Sequence, residues 1–439
     1  MTALDFAGRL DRALEVARPR RTGRVTAVVG LTVTAAGIDA AVGELVRIGA
    51  PDSTLTAEVV AVTPDGLACM PLGQVTGIRA GMPVQATGAP LQVPVGPELR
   101  GRILDGLGRP IDGGPPLTDC ARAPIDADAP PALLRSRVDA PLSLGVRALD
   151  TMVPFGRGQR VGIFAGSGVG KSSLLSMIAR GTEAEISVVA LVGERGREVR
   201  EFLENDLGPD GLARSVVVVA TSDEPPLVRL RAGFVATRIA EQFRDAGSDV
   251  LLMMDSLTRM AMAQREVGLS AGEPPATRGY PPSTFALLPR LLERAGPGVR
   301  GSITGIYTVL VEGDDHNEPI ADSARSILDG HVVLDRRLAT SGHYPTIDVL
   351  ESVSRVAPAV TTPEQRALSG GLRRLLGAHR DARELIEIGA YAPGSNPDVD
   401  RARALMPQID ALLRQDLAER CDAPSAWRAL GELLGTVAP

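Results

Sequence analysis

Apolar residues Leu4, Leu10, Ala13, Leu14 and Ala17 fall at helical spacing with charges between them, and Pro19 ends the pattern. That spacing predicts a short amphipathic helix within residues 1–22. From Gly23 to Gln92 the rhythm changes to short β-branched runs punctuated by Gly, Pro and Asp: Arg24 to Val29, Leu31 to Thr34, Leu45 to Ile48, Leu55 to Val62 and Gly66 to Met70. Runs of this kind predict a small β-barrel, assigned here to residues 23–95. Residues 105–141 are rich in Pro, Gly and Asp and read as a connecting segment over the surface.

From Gly158 to about Asp335, continuous apolar runs alternate with longer helical stretches. A parallel sheet covered on both faces has this signature, because its strands are buried on both sides. The candidate strands are Arg160 to Phe164, Ser187 to Val192, Ser215 to Ala220, Val250 to Asp255, Ile303 to Val311 and His331 to Leu334. Helices are expected at Ser172 to Arg180, Pro226 to Arg244 and Thr284 to Arg294. Beyond Pro363 only helical periodicity remains, broken at Ala392-Pro393-Gly394 and at Pro424. The expected organisation is a barrel, an α/β sheet domain over 96–360 and a helical domain over 361–439.

Composition changes this picture at three points. Cys69, Cys120 and Cys421 are an odd number, far apart, with no Cys-x-x-Cys pair, so neither a disulfide framework nor a zinc site is expected. A net charge of −6 argues against a chain whose main business is neutralising nucleic-acid phosphates. After Phe6 the next aromatic residue is Phe155, so the barrel region has no ring on which a base could stack. The N-terminal residues carry no secretory leader pattern and no apolar run approaches the length of a membrane span, so a cytoplasmic location is expected.

The chemistry starts at Ala165-Gly166-Ser167-Gly168-Val169-Gly170-Lys171-Ser172-Ser173, which follows a predicted strand and opens a predicted helix. That is the context of a P-loop: glycines let backbone N–H groups turn inward on a phosphate, Lys171 supplies a mobile charge, and the Ser172 hydroxyl can ligate Mg. Lys171 is the only lysine in an arginine-rich chain, so this position is one where the chemistry does not accept arginine. Ala165 stands where the usual pattern has its first glycine, which requires φ to stay negative there. Asp255 closes the apolar run Val250 to Met254 at a strand's carboxyl end and is the natural second Mg ligand. Glu194, in Gly193-Glu194-Arg195-Gly196, lies at another carboxyl end, where a carboxylate can polarise the attacking water.

These motifs, with Pro345-Thr346-Ile347-Asp348-Val349-Leu350-Glu351-Ser352-Val353-Ser354-Arg355, resemble the rotary ATP synthase catalytic-subunit family. Gly272-Glu273-Pro274-Pro275-Ala276-Thr277-Arg278-Gly279-Tyr280-Pro281-Pro282-Ser283 narrows the resemblance to the type III protein-export ATPases, and Phe164 to Ser172 looks like their flagellar branch. The resemblance implies a P-loop RecA-like ATPase domain between the barrel and the helical domain. It further implies ATP and Mg as ligands, with Glu194 as the catalytic glutamate. Arg355 becomes an arginine finger donated across a subunit interface, and Tyr344 an aromatic on adenine. Arg195 and Arg259 would lie near the nucleotide.

A finger supplied in trans implies a homohexameric ring. By the same resemblance the C-terminal helices face a stalk protein, the export gate and chaperone-substrate complexes. The N-terminal helix meets a stator-like regulatory subunit, and the ring lies peripherally at the inner face of the cell membrane through its partners. Three alternatives stand beside the flagellar export ATPase: an injectisome ATPase, a hexameric RNA translocase with the same core, and a non-catalytic ring subunit. The ringless stretch Ala7 to Pro154 opposes the RNA reading, and no specific nucleic-acid partner is expected. Glu194 opposes the non-catalytic one.

Overall fold

The computed structural model describes residues 22–50, 54–311 and 318–435. The amphipathic helix expected within residues 1–22 lies outside them, apart from Thr22, which opens the first strand. The chain divides into two compact units, one of residues 1–92 with 269–272 and one of the remainder.

The first unit is a closed six-stranded barrel of antiparallel strands. Its strands are Thr22–Val29, Thr32–Ala36, Glu44–Ile48, Leu55–Thr63, Gly66–Pro71 and Pro83–Pro90. Alternating residues point inward and build a core without aromatic rings that includes Val25, Val33, Val46, Ile48, Val59 and Val84. Closure removes both sheet edges. The sixth strand was not predicted. Only Val84 of its eight residues is buried, and Gln85, Thr87 and Gly88 give it no alternation to read. Cys69 lies inside the barrel, where burial pushes its thiol up to about 11, and all three cysteines are free.

The second unit is built on one sheet. From edge to edge its strands are Ile347–Ser354, Gly330–Leu334, Arg160–Ala165, Ser302–Leu310, Asp249–Asp255, Ile186–Glu194, Ser215–Thr221 and Ile103–Asp105. All pair in parallel except Ile347–Ser354, which runs antiparallel to Gly330–Leu334. A two-residue strand, Gly296–Pro297, also pairs antiparallel with Ser302–Leu310. The six predicted inner strands are present within two residues of their expected limits.

Two edge strands were not predicted. Ile103–Asp105 is only three residues long and sits at the start of the segment read as a connection. It is held by Arg102, whose guanidinium makes a two-pronged pair with Asp112 at 2.7 and 2.9 Å while Asp112 also accepts the Ile103 N–H. The Arg102 guanidinium holds the Asp112 carboxyl far below the usual carboxylate range.

Helices Pro363–Asp381, Arg383–Glu387, Pro397–Leu413 and Ala423–Leu434 complete this unit. The first starts at a reciprocal cap in which the Thr362 hydroxyl accepts the Gln365 N–H and the Gln365 side chain accepts the Thr362 N–H. The break expected at Pro424 falls just before it, between Pro397–Leu413 and Ala423–Leu434. Pro424 itself lies in the first turn of the latter, where its missing N–H costs nothing and Asp422 caps the start. Leu372, Ile409, Leu413 and Leu430 join the same apolar cluster as Leu149, Met152 and Val349. The C-terminal helices are therefore packed into the core that supports the P-loop. Among the described residues no helix is long and apolar enough to cross a membrane.

Candidate active site

Parallel strands bring their carboxyl ends to one edge of the sheet, and there the loop after Arg160–Ala165 turns into the helix Lys171–Gly181. Gly168 and Gly170 take φ of +75° and +97°, left-handed values that a side chain rarely tolerates. Arg278 is the only described non-glycine residue with positive φ, so Ala165 meets the condition its substitution imposes. Below the loop, the Thr346 hydroxyl donates to the Val169 carbonyl at 2.7 Å.

Lys171 Nζ reaches two carboxylates from two other strands, hydrogen-bonding Asp255 Oδ1 and lying 3.4 Å from Glu194 Oε1. Glu194 is the last residue of its strand, and Gly193 before it has φ +72°. Any Cβ at Gly193 would stand 3.0 Å from the Arg259 Cβ, so this glycine lets the Arg259 stem pack beneath Glu194. Arg259 Nε is buried with no hydrogen-bond partner. Asp255 is buried, and its Oδ1 also accepts the Thr308 hydroxyl at 2.8 Å. Thr308, on the neighbouring strand, was not singled out from the sequence. The available signal was a hydroxyl near the carboxyl end of a largely apolar run that also carries Thr304.

Lys171, Glu194 and Arg259 face a cavity of about 940 Å³ whose lining also includes Gly166 to Gly168, Gly170, Ser172, Ser173 and Arg195, whereas Asp255 and Thr308 are not part of that lining. Six of its lining residues are cationic and three acidic, a balance suited to phosphate. Around Lys171 itself the balance reverses, because one ammonium faces two carboxylates. A polyphosphate brought to that point needs a further cation. Ser172 and Asp255 are oxygen donors of the type Mg takes, together with phosphates and water. Among the described residues no cluster of three or more His, Cys, Asp or Glu could hold a metal unaided. The donor set thus fits a cation that arrives with a nucleotide.

Arg195 lines the cavity, yet its side chain is 76% exposed and pairs with Glu198 at 3.3 Å. Tyr344 is 42% exposed, and its ring carbon Cε1 lies 3.3 Å from where a Gly170 Cβ would be. Arg355 is elsewhere. Val353 is level with His331, and His331 with Gly162, so Arg355 falls level with Arg160, one strand removed, at the amino end of the P-loop strand. The strand Arg160–Ala165 separates it from the loop by about 17 Å. Arg355 is exposed at that end.

Comparison with known proteins agrees along most of the chain. Residues 25–88 match the beta-barrel domain of the ATP synthase alpha/beta family, and 145–354 match its nucleotide-binding domain. Residues 361–432 match the T3SS EscN ATPase C-terminal domain. The flagellum-specific ATP synthase of Bacillus subtilis is 48% identical over 421 residues, covering 95% of this chain and 96% of that protein. The type 3 secretion system ATPase of Xanthomonas euvesicatoria is 49% identical over 431 residues, covering 98% and 97%. The assembled ATPase EscN of enteropathogenic E. coli, solved in complex with its central stalk EscO, matches with a TM-score of 0.87 at 43% identity. That match covers 94% of this chain and 100% of EscN. The chain therefore belongs to the ATP synthase alpha/beta family, in the branch of the flagellum-specific ATP synthases and type 3 secretion system ATPases.

Proposed function

We propose that the chain is the ATP hydrolase of a flagellar type III export apparatus, working as a homohexameric ring. The observation that carries the ring is the position of Arg355, about 17 Å of strand from the P-loop of its own chain and exposed. A finger so placed serves a site on a neighbour.

In the mechanism, the P-loop N–H groups from Gly166 to Ser173 hold the phosphates, and Lys171 swings from the carboxylates to the phosphate oxygens. Ser172 and Asp255 would hold Mg, which would supply Lewis-acid charge neutralisation there. Glu194 orients the attacking water, and the neighbour's Arg355 stabilises charge on the transferred phosphoryl, a contribution of about 10³ to 10⁵ in rate where such fingers are known. Half-buried Arg259 and exposed Arg195 supplement it. Tyr344 offers its ring to the adenine beside Gly170.

The barrel, residues 23–95, forms the crown of the ring, and residues 96–360 form the motor. Residues 361–439 face the stalk protein, the export gate and chaperone-substrate complexes, and residues 1–22 face a stator-like regulator. The ring works in the cytoplasm, at the membrane through these partners.

The test is the rate of ATP hydrolysis against protein concentration, wild type beside Arg355→Ala, with and without RNA. A rate that climbs with concentration, collapses in Arg355→Ala and ignores RNA is expected. A rate independent of concentration and of Arg355, or one switched on by RNA, would refute the export-ring reading. Restoration of motility in a flagellated host lacking its own export ATPase, against restoration of injectisome secretion, separates the two export branches.

A further inference from the structure

Gln159 is fully buried, with 0% of its surface exposed, in the turn before the P-loop strand. A buried primary amide is costly unless its hydrogen bonds are met. Here they are met by a particular set of groups. Oε1 accepts the Gly156 N–H at 3.0 Å. Nε2 donates to the Asp329 carbonyl at 3.2 Å and to Ser354 Oγ at 3.1 Å. The Asp329 carbonyl is also the acceptor for the Arg355 N–H, at 2.9 Å, and Ser354 is the residue before Arg355. Both N–H groups of one amide are thus spent on the two anchors of the arginine's backbone.

The surroundings reinforce the same point. The Ser354 hydroxyl itself donates a hydrogen bond to the Pro154 carbonyl at 2.7 Å. The Asp329 carboxylate takes both prongs of Arg160, at 3.0 and 3.2 Å, and the Arg160 N–H. Gly330 has no side chain because a Cβ there would meet the Val353 carbonyl at 2.6 Å and Gln159 Nε2 at 3.2 Å. The Arg355 guanidinium, by contrast, makes one long contact within the described chain, 3.4 Å to the Arg325 carbonyl. Its aim depends on where its backbone is held.

We propose that Gln159 is a positioning residue for the arginine finger: it fixes Asp329 and Ser354 so that Arg355 projects at the reach and angle the neighbouring site requires. The strand Arg160–Ala165 then serves two active sites, presenting the P-loop at its carboxyl end and the finger mount at its amino end. This rests on the reading of Arg355 as a trans-acting finger, and the experiment separates the two.

Gln159→Leu keeps the volume and removes the amide. Displacing a catalytic group by about 1 Å costs on the order of 10²-fold. Gln159→Leu rings are therefore expected to lose about that factor in kcat, with KM for ATP within about twofold of wild type. Ser354→Ala, which deletes one oxygen, is expected to lose less in the same manner and carries the test if Gln159→Leu does not assemble.

The deciding measurement mixes variants. Gln159→Leu spoils the donated finger and spares the subunit's own pocket, whereas Glu194→Gln spoils the pocket and spares the finger. In rings reassembled from equal amounts of the two, about one interface in four pairs an intact pocket with an intact finger, and the rate should rise to about a quarter of wild type. Arg355→Ala mixed with Glu194→Gln is the reference and should recover equally. Recovery of the reference without recovery of the Gln159→Leu mixture would place the damage in the subunit's own site and overturn the proposal. Wild-type kcat in both Gln159→Leu and Ser354→Ala would overturn it as well. A reference mixture that stays inactive would remove the trans finger itself, and the mount with it.

Discussion

Replacing Thr308 by valine removes one hydroxyl from the carboxylate assigned to Mg and changes little else. Thr308 is fully buried, its Oγ1 lies 2.8 Å from Asp255 Oδ1, and valine has nearly the same shape, so no cavity opens. What is lost is a hydrogen bond to a charged group, worth about 1.5 to 3 kcal/mol. Lys171 remains on the same oxygen and prevents the carboxylate from being orphaned, which holds the expected cost toward the lower end of that range. For catalysis the loss is of orientation: a group that orients a metal ligand typically contributes about 10- to 100-fold in affinity or activity. Urea unfolding of Thr308→Val should show destabilisation of about 1.5 kcal/mol. Its hydrolysis rate should need at least about tenfold more Mg for half-maximal activity, and Thr308→Ser should restore both properties. A valine variant with wild-type stability and an unchanged Mg requirement would refute the assignment of Thr308 as the group that orients Asp255, and would weaken that of Asp255 as the Mg ligand.

Two further outcomes follow from groups away from the cavity. Arg294 and Glu241, 2% and 1% exposed, form a two-pronged pair at 2.7 and 2.8 Å, and Arg294 also donates to the Ile125 carbonyl. Glu241→Ala leaves a buried guanidinium uncompensated and should cost about 3 to 5 kcal/mol in denaturant melts, whereas Glu241→Met with Arg294→Met should recover most of it. A single variant that melts like wild type would contradict this. Burial pushes the Asp150 carboxyl up to about 7, outweighing hydrogen bonds from Leu144, Ser143 and Gly145. Between the ordinary carboxylate range and that value the folded chain keeps a proton that the unfolded chain has released, so this group's contribution to stability falls as pH rises, by up to about 1.4 kcal/mol per pH unit, and levels off above about 7. Melts of Asp150→Asn between pH 4 and 8 should lack that slope, and an identical slope in both proteins would contradict the assignment.

The P-loop was legible from the chain alone because its chemistry is contiguous: a strand, two left-handed glycines, a lysine and a helix start within a dozen residues. Asp255 and Glu194 were legible for a related reason. In a parallel sheet the carboxyl ends of all strands meet at one edge, so a polar residue closing an apolar run already has an address. The barrel's first five strands followed from their β-branched alternation, and the sixth did not because it buries only Val84.

The order of the strands had no such local signal. Only the tertiary structure places Ser302–Leu310 beside Asp249–Asp255 and so sets Thr308 on Asp255, across 53 residues of chain. It likewise runs Ile347–Ser354 antiparallel to its neighbour and so carries Arg355 to the end of the sheet away from the P-loop, over the buried amide of Gln159. Periodicity reports what one segment needs to bury, and spacing reports what a few neighbours can hold. Which distant hydroxyl or amide completes a carboxylate or steadies an arginine depends on strand order, and strand order is settled by packing across the whole sheet.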